Sequence, residues 1–175
     1  RVDGRFLYHS TLPVFADIAP GQPVDAPYNQ GVSGLNFEFN RVTWTKDSEG
    51  IYVTPDEAEN LTPALTPGND VAGELPVRAP NLLSARMLQR FAANEGVQLP
   101  SPAQDTPPDG AVVLAEVYSL PLLEIARAGL EYSNNMVAEA VGVAAARATG
   151  APVDTLQQSA HVQASACVPG LRRCR

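Results

Sequence analysis

Proline sets the first limits on what this chain can fold into. Sixteen of its 175 residues are proline, and a proline, with its fixed φ and no amide hydrogen, interrupts any helix or central strand that it falls inside. Pro13, Pro20, Pro23 and Pro27 divide the opening segment into short strands and turns around Phe6-Leu7-Tyr8 and Val14-Phe15. Pro55, Pro63 and Pro67 mark Thr54 to Asp70 as a connection with no sustained period. Four more prolines between Pro100 and Asp109 predict an extended surface loop. Regular elements must lie between these breaks.

Periodicity places them. Leu35-Asn36-Phe37-Glu38-Phe39-Asn40 alternates apolar and polar, which predicts a half-buried strand with Leu35, Phe37 and Phe39 on one face. Val42 and Trp44 continue the period after a phase shift at Asn40-Arg41, and the polar loop Lys46 to Gly50 leads to Ile51-Tyr52-Val53, so a β-hairpin is expected. From Pro80 the spacing of Leu83, Met87 and Phe91, with Leu88 between them, predicts a helix that stops at Gly96. Ala111 to Ala115 reads as a buried strand. Leu120 to Gly129 reads as a short helix with Ser119 as its cap and Pro121 in its first turn, and a longer alanine-rich helix follows from Asn135 to Ala148, stopped by Thr149-Gly150. The tail from Ala151 has no assignable element.

Charge is distributed unevenly along this order. The whole chain carries 12 Lys+Arg against 19 Asp+Glu, net −7. Residues 1–76 hold 4 basic and 11 acidic groups, while residues 77–175 hold 8 of each. That step, with the change of texture near residues 72–79, predicts two modules. The fold class expected is mixed α/β (α+β), with residues 1–75 β-rich and residues 76–175 a second domain. An acidic chain lacks the positive field that a phosphate backbone requires, so nucleic acid is not an expected partner. No apolar run approaches the ~20 residues of a membrane-spanning helix. The first residue is Arg, and no basic and apolar leader precedes the structured part.

Most familiar chemistries lack their residues. Cys167 and Cys174 stand seven apart near the end of the chain, which suits incidental thiols better than a disulfide framework or a zinc site. His9 and His161 have no Gly-x-Ser-x-Gly turn or carboxylate partner nearby. Neither a phosphate loop, nor a dinucleotide fingerprint, nor His-Glu-x-x-His occurs, so no cofactor or metal is expected. The acidic cluster Asp56, Glu57 and Glu59 lacks calcium-loop spacing and reads as solvated surface. What remains is Ser133-Asn134-Asn135, between the last two predicted helices. On its own this triplet is explained by capping, with Ser133 satisfying the free amides of a helix start.

Longer segments give it another meaning. Ser119 to Ile125 followed by Glu131-Tyr132-Ser133-Asn134-Asn135-Met136-Val137-Ala138-Glu139 resembles the Ser-x-Asn region of the D-alanyl-D-alanine carboxypeptidase/endopeptidase family of penicillin-binding proteins, serine peptidases of the DacB type. Asp3 to Phe6, Pro27 to Ser33, Leu35 to Asn40 and Asn94 to Val97 look like family segments in family order. The resemblance implies a β-lactamase/transpeptidase-like domain, here partial, joined to part of a β-rich inserted domain. It implies a periplasmic enzyme that cleaves the D-Ala-D-Ala end of peptidoglycan peptides through an acyl-enzyme and is acylated by β-lactams. The catalytic residues it transfers to this chain are Ser133, relaying a proton toward the departing amine, and Asn135, hydrogen-bonding the substrate amide carbonyl, with Asn134 structural.

The family's other motifs are missing. No serine has a lysine three residues later, and the sole lysine, Lys46, precedes Asp47, so neither Ser-x-x-Lys nor Lys-Thr-Gly is present. The expectation is a fragment that is inactive alone. Two alternatives stand beside it: a non-catalytic peptidoglycan-binding or scaffold module of the same fold, and an unrelated α+β domain in which the motif is coincidence. A structure with no strand beside the helix pair of residues 120–148 would favour the last.

Overall fold

The computed structural model describes residues 2–15, 21–65, 70 and 72–166. Cys167, Cys174 and the rest of the tail lie outside the described residues, as does part of the Thr54–Asp70 connection. The chain divides by packing into two units, Arg1–Ser119 and Leu120–Arg175. In chain order the first holds β1 (Phe6–Tyr8), β2 (Arg41–Lys46), β3 (Tyr52–Val53), β4 (Ala72–Pro76), α1 (Pro80–Asn94) and β5 (Pro102–Gln104). The second holds α2 (Leu122–Glu131), α3 (Asn135–Ala148) and α4 (Leu156–Ala166). Helices and strands in separate sheets make this a mixed α/β fold, as the patterning predicts.

β2 is the centre of an antiparallel sheet of order β3-β2-β4. The predicted hairpin forms because Asp47 shapes its loop, its Oδ1 accepting from the Glu49 and Ile51 amides at 2.9 Å each. Trp44 is buried on β2, and β4 crosses it at Gly73, where an added Cβ would come within 2.8 Å of the indole nitrogen. Only glycine fits that crossing. β1 and β5 make a short parallel pair with Phe6 opposite Pro102, so part of the proline-rich loop expected from 100 to 109 is a strand.

α1 begins with Pro80 in its first turn and ends at Gly96, φ +79°, as its sequence predicts. It packs Leu83 against Ala58, Leu61 and Val77, with Phe37, Val42 and Met87 at the margin. Phe91 lies 5.9 Å from the Phe37 ring, while Leu88 stays exposed. Arg86 donates to the Glu57 and Glu59 carbonyls at 3.0 and 2.9 Å, and Arg90 pairs with the Glu57 carboxylate at 3.1 Å. The acidic turn is therefore tied to α1, and Glu57 is not merely solvated.

Residues 35–40 are not a strand. Glu38, Phe39 and Asn40 all have positive φ, and Glu38–Asn40 is a 3-10 turn. The reason is side-chain competition for the backbone. Asn40, fully buried, donates to the Gly31 carbonyl at 2.8 Å and to Asn36 Oδ1 at 2.7 Å, and its own Oδ1 accepts from the Phe37 amide at 3.1 Å. Asn36 donates back to the Ser33 carbonyl at 2.7 Å. Asparagine tolerates left-handed backbone, and its carboxamide replaces the ladder that the alternation predicts.

Three further expectations are corrected. Ala111 to Ala115 is exposed and irregular rather than a buried strand, since no strand among the described residues pairs with it. α2 starts at Leu122 with Pro121 at its N-cap position and no side-chain cap, so Ser119 does not cap it, and Gly129 lies inside the helix rather than ending it. The unassigned tail contains α4, whose start is a capping box: Gln158 N donates to Thr155 Oγ1 at 3.1 Å and Gln158 Oε1 accepts from Thr155 N at 3.1 Å.

Replacing Asn40 with alanine strips bonds from the buried Gly31 carbonyl and the Phe37 amide. The expected cost is about 2–3 kcal/mol, read as a lower urea-unfolding midpoint, whereas Asn60→Gly at the exposed left-handed Asn60 is expected to cause no loss.

Candidate functional site

The junction of α2 and α3 is built by two opposed terminations. At the end of α2 the Ser133 amide donates to the Leu130 carbonyl at 3.3 Å and the Asn134 amide to the Gly129 carbonyl at 2.8 Å. This is the Schellman pattern, which requires a left-handed residue one position beyond the cap. That residue is Ser133, φ +50°. α1 ends in the same pattern, with Gly96 donating to Ala93 at 3.0 Å and Val97 to Ala92 at 2.8 Å. α3 likewise passes into Gly150 at φ +82°. A serine therefore occupies a position that two other helix ends in this chain give to glycine.

α3 starts immediately afterwards. Asn134 is its N-cap, with Oδ1 accepting from the Val137 amide at 3.0 Å. Ser133 is thus not the cap that the triplet alone suggests, and Asn134 takes the structural role expected of the middle residue. Asn135 is the first residue of the helix, where the sequence starts it. Among the described residues, neither the Ser133 hydroxyl nor the Asn135 carboxamide bonds to another protein group, and both residues are exposed. The elbow is held tightly where α2 and α3 meet, since a Cβ on Gly129 would come within 2.7 Å of Val137 Cγ1.

Glu139 went unnoticed in the sequence as more than part of the family segment. It sits on the stripe with buried Met136, Val143 and Ala146, at helical spacing, and is half-buried. Among the described residues it has no hydrogen-bond or ionic partner, and burial raises its carboxyl pKa above the usual range. The signal available was an acidic residue inside an apolar period, one helical turn after Asn135. Among the described residues no group of three or more His, Cys, Asp or Glu could hold a metal ion. No helix among them is long and apolar enough to cross a membrane.

These contacts give two stability predictions. Ser133→Gly is expected to stabilise the chain by about 1 kcal/mol by relieving left-handed strain, and Asn134→Ala to cost about 1 kcal/mol, both read from denaturant unfolding. Glu139 binds its proton more tightly folded than unfolded, so its contribution is fully present below the ordinary carboxyl pKa and is lost as pH rises through the raised folded value. Glu139→Gln should therefore raise the unfolding midpoint at neutral pH, with the difference shrinking in acid.

The helical unit has no strand among its described residues, which is the condition set above for coincidence. Comparison with known families decides otherwise. The model of the D-Ala-D-Ala carboxypeptidase 3 (S13) family matches residues 63–168, more than half the chain and all of the Ser133 elbow. No curated protein and no solved structure matches. A match over that much of the chain places it in the D-Ala-D-Ala carboxypeptidase 3 (S13) family.

Proposed function

We propose that Ser133 and Asn135 are the Ser-x-Asn element of a serine-type carboxypeptidase/endopeptidase of the DacB type, acting outside the cytoplasm on the D-Ala-D-Ala ends of peptidoglycan peptides. The observation that carries this reading is Ser133 at φ +50° with an unbonded, exposed hydroxyl. Strained backbone of this kind is found where function requires a side chain that stability would not select. Asn134 takes the capping bond, so Ser133 and Asn135 are left with their polar atoms free for substrate.

In the reaction, a serine nucleophile attacks the carbonyl of the D-Ala-D-Ala peptide bond. A new ester C–O bond forms, the C–N bond breaks, and the leaving amine takes a proton, after which water hydrolyses the acyl-enzyme. Ser133 relays to that amine the proton that the nucleophilic hydroxyl gives up, and Asn135 donates a hydrogen bond to the substrate amide carbonyl. The nucleophile with its lysine, and the Lys-Thr-Gly strand, are not among the 175 residues. On this reading the chain is one portion of a longer enzyme and is inactive alone. Residues 1–75 belong to a β-rich inserted domain and residues 76–175 to a transpeptidase-like domain. The charge step between them supports that division, while the packing boundary at Ser119 reflects which residues are in contact in this chain. A non-catalytic wall-binding module of the same fold has in its favour only the missing motifs.

Labelled penicillin tests the reading. The 175-residue chain is expected to form no covalent adduct, and a polypeptide extended to include both other motifs is expected to form one. In the extended protein Ser133→Ala should slow turnover by ~10²–10⁴, and Ser133→Gly should slow it as much while being no less stable. Labelling of the 175 residues alone, or full turnover in Ser133→Ala, would contradict it.

A further inference from the structure

Glu139 is the one acidic residue set into the buried stripe of α3, half-buried beside Met136, Val143 and Ala146. Among the described residues no hydrogen bond or ion pair satisfies its carboxylate. A carboxylate withdrawn from water without a partner costs stability, and a neutral residue in its place would cost less. The charged and titratable groups of the elements packed on α3 do not supply the partner. Glu124, Arg127 and Glu131 lie on α2, His161 on α4 and Arg147 on α3 itself, and burial is the cause of the raised Glu139 pKa. The position of Glu139 supplies a reason for the exception. Residues four apart in a helix share a face, one turn above the other, so Glu139 lies behind Asn135. Helical side chains lean toward the N-terminal end, which brings the Glu139 carboxylate over the turn that carries Asn135. The other residue one turn along from Asn135 is Ala138, so Glu139 is the polar side chain that α3 offers there.

We propose that Glu139 is a positioning residue for Asn135: its carboxylate accepts one hydrogen of the Asn135 carboxamide, so that the other is presented to the substrate amide carbonyl. This rests on the Ser-x-Asn reading above. A carboxamide can turn either end toward a substrate. With its oxygen forward Asn135 would repel the carbonyl, and with its nitrogen forward it binds it. An ionised carboxylate only accepts hydrogen bonds, so Glu139 selects the nitrogen. Asn135 is exposed, and its carboxamide has no bond to another protein group among the described residues, so nothing else in them fixes that choice. Hydrogen bonds of this kind tighten when the substrate is in place. Glu139 acts on Asn135 and not on the reacting atoms.

Turnover of an acyl-D-Ala-D-Ala peptide by the polypeptide extended to include both other motifs tests it, with urea unfolding in parallel. Above the raised pKa of Glu139, Glu139→Gln should lower kcat ~10–100-fold, the worth of one charge-assisted hydrogen bond, and should raise the unfolding midpoint. A residue that only supported the fold would move both the same way. The kcat gap between wild type and Glu139→Gln should close as pH falls, because the wild-type carboxyl then carries a proton and no longer selects the nitrogen. In an Asn135→Ala background Glu139→Gln should cost nothing further, since it acts through that carboxamide. No turnover in the extended protein, or full turnover in Ser133→Ala, would sink the peptidase reading and this proposal with it. With Ser133→Ala slow, three results would overturn the proposal alone: full turnover in Glu139→Gln, a gap that stays open in acid, or the same loss from Glu139→Gln with and without Asn135.

Discussion

The bond from the Val137 amide to the Asn134 carboxamide, 3.0 Å long, decides how the elbow can be used. A helix start consumes one polar side chain to satisfy its free amides, and here the middle residue of Ser133-Asn134-Asn135 is consumed. Its neighbours keep their polar atoms. The Schellman pattern on the other side adds a second constraint, because two bonds back to Leu130 and Gly129 oblige Ser133 to be left-handed. Residue choice and backbone geometry thus conflict at one position. A glycine there would remove the conflict, as it does at the ends of α1 and α3.

The first unit shows the same principle with the opposite outcome. There the polar side chains are used to the full. Asn36 and Asn40 hold residues 33–40 in a compact turn and join it to Gly31, while the Val77 amide bonds to the Asn40 carbonyl at 2.8 Å and the Gly31 amide to the Val77 carbonyl at 2.8 Å. This lattice brings β4 and the start of α1 together over the cluster of Ala58, Leu61, Val77 and Leu83. An asparagine can thus be a frame or a cap, and which it is depends on the amides within its reach.

Much of this was legible in the sequence where a strong local signal met a matching environment. Asn135 to Ala148 and Pro80 to Asn94 are helices with the ends their Gly150 and Gly96 announce. The 41–53 hairpin follows from Val42, Trp44 and the loop at Asp47. Legibility failed where the deciding partner was distant or unusual. The alternation at 35–40 was outweighed by carboxamides bonding to Gly31 and Ser33. The run at 111–115 reads as a strand by composition, yet composition carries no information on whether a sheet receives it. α4 was hidden by polar residues, although Thr155-x-x-Gln158 was a readable capping box. At the site, the triplet was visible, but only the geometry separates the cap, Asn134, from the exposed Ser133.

The claim on which the account turns is that Ser133 is left-handed with its hydroxyl unbonded while Asn134 caps α3. Solution NMR on the 175-residue chain measures this directly, through the φ-dependent couplings of Ser133 and the exchange of the Met136 and Val137 amides. The account predicts a positive φ at Ser133 and a Val137 amide whose protection is lost in Asn134→Ala and kept in Ser133→Ala. A negative φ at Ser133, with protection lost on Ser133→Ala instead, would make the serine an ordinary helix cap and remove the physical basis of the site.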